Sequence, residues 1–200
     1  EKKVGEKEKK PKLSQEEILK RKNLGQYFTT SPILQNKILE FILNNPSKIL
    51  EPSTGKGDLI IPIINKFPHC SYDLYEIDQT IPSNLTINYC NFLEENIIEK
   101  YPTIVGNPPF VRTKKGNLSI DFTQKCLSLL EPNGELIFII PSDFFKLTST
   151  KELINNMLEL GTFTHIFHPE ESNFFSGANI NILIFRYCKN PSLPKTCLYN

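Results

Sequence analysis

Excess charge of either sign is missing from this chain of 200 residues, where 23 Lys and Arg face 22 Asp and Glu and leave a net charge of +1. No global field draws in a polyanion, although a local basic stripe is enough to hold nucleic acid. Histidine is scarce, with three in all, at positions 69, 165 and 168. His165 and His168 stand three apart in a stretch that reads as strand and turn, without a Cys or carboxylate partner, so no metal site is expected. None of the five cysteines (Cys70, Cys90, Cys126, Cys188, Cys197) forms a C-x-x-C pair. Their number is odd and no secretory signal is present, so reduced thiols in a cytoplasmic protein are expected. No apolar run approaches the ~20 residues of a membrane span. No internal repeat is found, and a first residue of Glu1 in place of Met suggests a trimmed or partial chain.

What is present suits one domain with its own core, at 39% hydrophobic residues. Residues 1–12 are almost all Lys, Glu and Gly and cannot bury enough surface to order themselves. Ser14-Gln15-Glu16-Glu17 has a capping-box pattern that predicts a short basic helix to about Lys22. Gly25-Gln26-Tyr27-Phe28-Thr29-Thr30-Ser31-Pro32 then breaks the periodicity. A helix is expected from Ile33 to Leu43, capped by Thr30 or Ser31, with Pro32 at its first position. Lys48 to Glu51 is a short buried strand, and Pro52-Ser53-Thr54-Gly55-Lys56-Gly57-Asp58 turns into a helix from Leu59 to Lys66. Strand, glycine loop and helix in this order open a nucleotide-binding βαβ unit. The loop lacks a full G-x-G-x-x-G, and no Gly-Lys-Ser/Thr follows, so it is not a phosphate-binding P-loop. A second strand, Tyr72 to Tyr75, ends in Glu76-Ile77-Asp78, where such folds hold ribose hydroxyls.

A third strand is expected from Leu85 to Cys90, followed by Asn91-Phe92, and a fourth from Thr103 to Gly106. The fourth delivers Asn107-Pro108-Pro109-Phe110, the stretch on which the chain centres. Each Pro fixes φ near −65° and has no N–H to give a sheet or helix, so a stiff turn displays one amide, free carbonyls and a ring. Val111 to Ser119 is a basic loop whose Arg112, Lys114 and Lys115 suit phosphates. Helices at Asp121–Leu130 and Thr150–Leu160 and strands at Leu136–Ile140, Phe163–Phe167 and Asn179–Tyr187 complete the pattern. Alternating strands and helices predict an α/β fold with a mostly parallel sheet, covered on both faces, and an antiparallel edge strand.

The ordered set Gly25-Gln26-Tyr27-Phe28-Thr29, Glu51-Pro52-Ser53-Thr54-Gly55-Lys56-Gly57, Tyr75-Glu76-Ile77-Asp78, Asn91-Phe92 and Asn107-Pro108-Pro109-Phe110 resembles the gamma-type adenine-N6 DNA methyltransferases of restriction–modification systems. The resemblance implies a Rossmann-like, seven-stranded S-adenosylmethionine-dependent fold in residues 24–188. An arm and short helix would occupy 1–23, and a linker-like tail 189–200. It implies S-adenosylmethionine as cofactor. Tyr27, Phe28, Thr29, Glu51, Ser53, Gly55 and Gly57 would lie around its methionine part. Glu76 would take the ribose, and Ile77, Asn91 and Phe92 the adenine. Family members usually have Asp where this chain has Asn91, whose amide oxygen would accept from the adenine amino group. Asn107, Pro108, Pro109 and Phe110 would form the catalytic turn. Phe110 and Phe175 would stack on a flipped base, with Phe174 in the core. Double-stranded DNA is the implied partner, with target recognition supplied by a separate or missing domain or subunit. RNA adenine dimethyltransferases share the Leu24-Gly25-Gln26-x-Phe28 segment, protein-glutamine methyltransferases share the Asn-Pro-Pro-aromatic turn, and a binding module without turnover is a further alternative.

Overall fold

The computed structural model describes residues 19–20, 23–113, 116–171, 174–175 and 180–199. The arm and most of the helix expected from Ser14 lie outside them; Leu19, Lys20, Asn23 and Leu24 are helical. Helix α1 (Pro32–Phe41) precedes β1 (Lys48–Glu51), α2 (Ile60–Lys66), β2 (Ser71–Glu76), β3 (Asn88–Tyr89) and β4 (Tyr101–Gly106). The hairpin β5 (Arg112–Thr113) and β6 (Gly116–Asn117) leads into α3 (Leu118–Leu129) and the long β7 (Leu130–Pro141). Two single turns of 3-10 helix, α4 (Lys151–Leu160), β8 (Thr162–Phe167), β9 (Ile182–Cys188) and β10 (Leu198–Tyr199) complete the chain.

Eight strands form one sheet in the order β10-β8-β9-β7-β4-β1-β2-β3. Only β9 runs against the others, paired to β7 on one side and β8 on the other. The reversed strand therefore lies inside the sheet, whereas the sequence pattern suggested an edge. The eighth strand comes from the tail. Residues 189–199 have linker composition, yet Leu198 and Tyr199 pair in parallel with His165 and Ile166. Lys195 Nζ donates to the Leu158 and Gly161 carbonyls at 2.7 and 2.6 Å, and Lys189 Nζ to those of Leu127 and Leu130.

The third strand is shorter than expected. Only Asn88 and Tyr89 pair, with Tyr75 and Glu76. Leu85 and Ile87 instead pack against the core from a loop, so their alternation reports burial and not pairing. The basic loop after Val111 also gains structure: Asn117 Oδ1 accepts from Ser119 N at 3.1 Å and starts α3 three residues before the expected Asp121. At α1 the expected side-chain cap is absent; Pro32 begins the helix, and the Ser31 carbonyl accepts from Gln35 N at 3.1 Å.

Period-two alternation divides the core. Leu136, Phe138 and Ile140 of β7 face α3 and α4, while Ile137 and Ile139 face α1 and α2. Glu135, fully buried, is met by the Arg186 guanidinium at 2.8 Å, Thr103 Oγ1 at 2.9 Å and the backbone N–H groups of Leu43 and Asn44. Such complete pairing is what makes a buried charge tolerable, and here it ties the chain leaving α1 to the sheet centre. Strands β4, β1 and β2 thereby reach their carboxyl ends side by side. The chain leaves β1 toward β2 on one side and returns as β4 on the other, a topological switch point where open α/β sheets bind ligands.

Candidate functional site

A cavity of about 290 Å³ opens at that switch point, near the lower end of the ~300–1,000 Å³ range of small-molecule sites. Its wall brings together residues from Asn23 to Phe122. Tyr27, Phe28 and Thr29 come from the segment before α1, Glu51 from the end of β1, and Ser53, Gly55 and Asp58 from the loop after it. Glu76 ends β2 and Ile77 follows it; Asn91 and Phe92 follow β3; Asn107 and Pro109 follow β4. Gly57, Pro108, Phe110 and Phe175 are not part of this wall.

Gly25 lets the first of these segments approach. Its φ is +64°, and a Cβ there would lie 2.3 Å from Val111 Cγ2 and 3.0 Å from Phe110 N. A side chain would therefore push the Tyr27 segment away from the Pro-Pro-Phe turn. The closeness has a direct result at Asn107. Its Nδ2 donates to the Tyr27 carbonyl at 2.7 Å and to Thr29 Oγ1 at 3.1 Å. A backbone carbonyl can only accept, so the amide direction is set. Asn107 Oδ1 is buried and has no hydrogen-bond partner among the described residues. Ser53 Oγ donates to the Asn107 carbonyl at 3.2 Å and links the turn to the β1 loop.

The acidic groups divide by their surroundings. Glu76 Oε2 accepts from Gly55 N and Oε1 from Asp78 N, both at 2.8 Å. Each oxygen keeps a second lone pair for a ligand. Glu51 is 1% exposed. Its Oε2 and Asp58 Oδ2 are both buried without a partner among the described residues. Burial, aided by the charges of Glu76 and Asp58, pushes the Glu51 carboxyl up to about 8. Asp78 shows the opposite outcome. Burial raises it, but the hydrogen bonds from Lys20, Thr80 and Gln26 outweigh burial and hold it at about 2. Lys20 Nζ lies 2.8 Å from Asp78 Oδ1.

Beside Asn107, three rings converge. Tyr27 stacks on Phe110 with centroids 5.4 Å apart, and Phe175 meets Tyr27 at 5.3 Å and Phe110 edge-on at 6.1 Å. Phe174 is also buried.

A family model described as Eco57I restriction-modification methylase matches residues 17–175, and those residues carry every part of the site just described. The chain belongs to this family of methylases. It is 30% identical over 205 residues to the type II methyltransferase M.HincII of Haemophilus influenzae, covering 90% of this chain and 40% of the relative. The chain thus spans about two-fifths of the length of the curated relatives it matches. Its fold is shared with a Listeria monocytogenes protein assigned to the class I S-adenosylmethionine-dependent methyltransferases, at TM-score 0.70 and 15% identity over 86% of this chain and 64% of that one. It is also shared with the M protein of the type I restriction enzyme EcoKI, at TM-score 0.66 and 16% identity over 82% and 44%.

In this family member several expectations change in detail. Gly57 contributes packing, not lining: with φ +89°, a Cβ there would lie 2.6 Å from Leu85 Cδ1. Asn91 Oδ1, expected to accept from the ligand, also accepts from Leu93 N at 3.2 Å and keeps one further lone pair. Tyr27, expected to cover a cofactor, also fills the space between Phe110 and Phe175. Asp58 lines the cavity although the sequence pattern gave it no site role; its place directly after the glycines of the loop was the available signal. Lys114 and Lys115 lie outside the described residues. Among those residues, no cluster of three His, Cys, Asp or Glu side chains is arranged to hold a metal, and no helix is long and apolar enough to cross a membrane.

Proposed function

We propose that this methylase transfers a methyl group from S-adenosylmethionine to the N6 amino group of an adenine flipped out of cytoplasmic double-stranded DNA. The observation that carries the reading is Asn107, whose donor end is held by Tyr27 and Thr29 and whose acceptor end is buried and unpartnered.

The cavity's groups suit the cofactor. The unpartnered Glu51 and Asp58 oxygens match its ammonium group, and the spare lone pairs of Glu76 match its two ribose hydroxyls. Ile77 and Phe92 offer apolar surfaces to the purine. When bound, the cofactor supplies an electrophilic methyl on a sulfonium.

The residues of the chain then have a defined task. An adenine amino group is a poor nucleophile because its lone pair is delocalised into the ring. Asn107 Oδ1 and the Pro108 carbonyl accept hydrogen bonds from its two N–H groups, which favours a pyramidal nitrogen and localises the lone pair. After transfer the nitrogen gives one proton to water. No strong base is required; fixed acceptors and aligned reactants supply the rate. Phe110 and Phe175 stack on the target ring, exchanging their contacts with Tyr27 for contacts with the base. Stacking contributes roughly 1–3 kcal/mol per base, against the few kcal/mol that flipping costs. Reading of the base sequence belongs to protein outside these 200 residues, in keeping with the greater length of the relatives.

The test is product identification. The chain is incubated with methyl-labelled cofactor and mixed-sequence DNA, RNA or peptide, and the products are digested. The expected label is N6-methyldeoxyadenosine. Label in cytosine, in RNA alone or in a glutamine amide contradicts the reading.

A further inference from the structure

One side chain joins two walls of the cavity. The segment before α1 carries the buried Thr29, whose Oγ1 accepts from Asn107 Nδ2 at 3.1 Å. The loop after β1 carries Asp58, whose Oδ2 is buried without a partner among the described residues. Gln35 Nε2 donates to the Thr29 carbonyl at 2.9 Å and to the Asp58 carbonyl at 2.8 Å. Backbone carbonyls only accept, so Nε2 is the end that faces them, and its two N–H groups are the number that two bonds require.

Residues 26–31 and 52–59 contain neither helix nor strand, so contacts such as these fix where the two loops stand. Gln35 acts on them from a firm base. It belongs to the first turns of α1, where its own N–H bonds to the Ser31 carbonyl at 3.1 Å. Leu34, Ile38 and Phe41 bury that helix in the core. Thr29 and Asp58 line the cavity, whereas Gln35 does not. It reaches Asn107 only through Thr29, by one bond to the carbonyl of that residue and a second from its hydroxyl.

We propose that Gln35 is a positioning residue for methyl transfer: its two N–H donors set the separation between the Thr29 hydroxyl that orients Asn107 and the Asp58 carboxylate assigned above to the cofactor's ammonium group. The proposal rests on that function reading. Without the brace the two loops move relative to one another. Asn107 then loses part of its orientation and Asp58 its place, and a misplacement of about 1 Å is enough to slow a reaction between aligned groups by about 10²-fold. The role belongs to the donors and not to the bulk of the side chain. An unbranched side chain of similar length without N–H groups fails in it, and a longer one that carries them does not.

The experiment compares wild type with Gln35→Met, Gln35→Lys, Thr29→Val and the double variant of Gln35→Met with Thr29→Val. Each protein is read for its urea midpoint, its calorimetric affinity for S-adenosyl-L-homocysteine, and single-turnover methyl transfer to DNA at saturating S-adenosylmethionine. Gln35→Met keeps the shape and removes the donors. Its transfer is expected to fall by about tenfold or more, and its affinity by about three- to tenfold. Gln35→Lys keeps N–H donors and should stay within about threefold of wild type in both. The double variant should be no slower than the slower single variant, because both changes act through the same amide. A folded Q35M with wild-type transfer or wild-type affinity overturns the proposal and leaves the function reading standing. A reversed order, with Q35K the slower protein, does the same, since that is the mark of a packing role. Should Q35M fail to fold, a tenfold loss of transfer in Q35K overturns the proposal. Losses that add in the double variant overturn it as well. A wild type that transfers no methyl to DNA overturns the function reading and this proposal with it.

Discussion

Asn107 Nδ2 stands 2.7 Å from the carbonyl oxygen of Tyr27, so a segment 80 residues upstream decides which way the central amide points. The near-isosteric change Asn107→Asp tests this relationship. It places a carboxylate oxygen against the Tyr27 carbonyl and removes the donor that orients the group. Single-turnover methyl transfer is expected to fall by about 10²-fold or more, the scale of losing one fixed polar contact to a transition state. Cofactor affinity, measured by calorimetry, should stay within a few-fold. Retained transfer would show that the amide direction does not matter.

Glu51 makes the ligand-free protein sensitive to alkali. Its folded pKa of about 8 lies above the ordinary carboxyl value of 4.5, so its contribution to stability is complete below about 4.5 and is lost as pH rises toward 8. Glu51→Gln removes the titrating group. The expected result is a melting temperature less dependent on pH between 5 and 8 than in wild type, read by calorimetry. A ligand ammonium placed beside Glu51 favours its ionised form. Cofactor binding at pH 7 should then release a proton, seen as a dependence of binding enthalpy on the ionisation enthalpy of the buffer. The same slope in Glu51→Gln would place the released proton elsewhere.

Asp78 acts at the other end of the pH range. Its folded pKa of about 2 lies below the ordinary 3.8, so its contribution is present above about 3.8 and is lost as pH falls toward 2. Lys20→Met removes the strongest of its partners. The variant should lose a modest amount of stability at neutral pH, modest because Lys20 is 43% exposed and solvent screens the pair. The difference should shrink as pH falls toward 2, and acid unfolding, followed by circular dichroism, should move to higher pH. An unchanged acid midpoint would mean that Lys20 does not hold Asp78.

Gly25→Ala combines a left-handed backbone with a collision. At φ +64° and 2.3 Å from Val111 Cγ2, a Cβ forces the segment to move. The expected cost is about 1–3 kcal/mol, read from the urea midpoint, together with slower transfer because Tyr27 and Thr29 orient Asn107. A variant with wild-type stability and rate would show that the close approach is dispensable.

Most of the site's address was legible in the chain. Glu51, Glu76 and Asn107 each end an apolar run with a polar residue, and parallel strands carry their ends to one edge, so the pattern that predicts the strands also gathers these groups. The limits of legibility are tertiary. Leu85 and Ile87 alternate like a strand but bury themselves from a loop, and β2 offers pairing only to Asn88 and Tyr89. The tail reads as a linker because Lys195 and its prolines carry no local signal for the carbonyls at the end of α4 that hold it. Residue types also underdetermine direction. The Asn91 amide could sit either way round, and the Leu93 N–H decides which of its ends is the oxygen. Tyr27 could cover a ligand or complete an aromatic cluster, and its ring contacts place it in both.

The central claim is that the cavity bounded by Glu51, Glu76, Asn91 and Asn107 holds S-adenosylmethionine. Titration of the chain with S-adenosylmethionine beside Glu76→Ala tests it most directly. Saturable one-to-one binding that is lost or weakened at least about tenfold in the variant is the predicted result, since Glu76 gives up two hydroxyl contacts. Equal affinity in the two proteins, or no binding to wild type at millimolar cofactor, would contradict it.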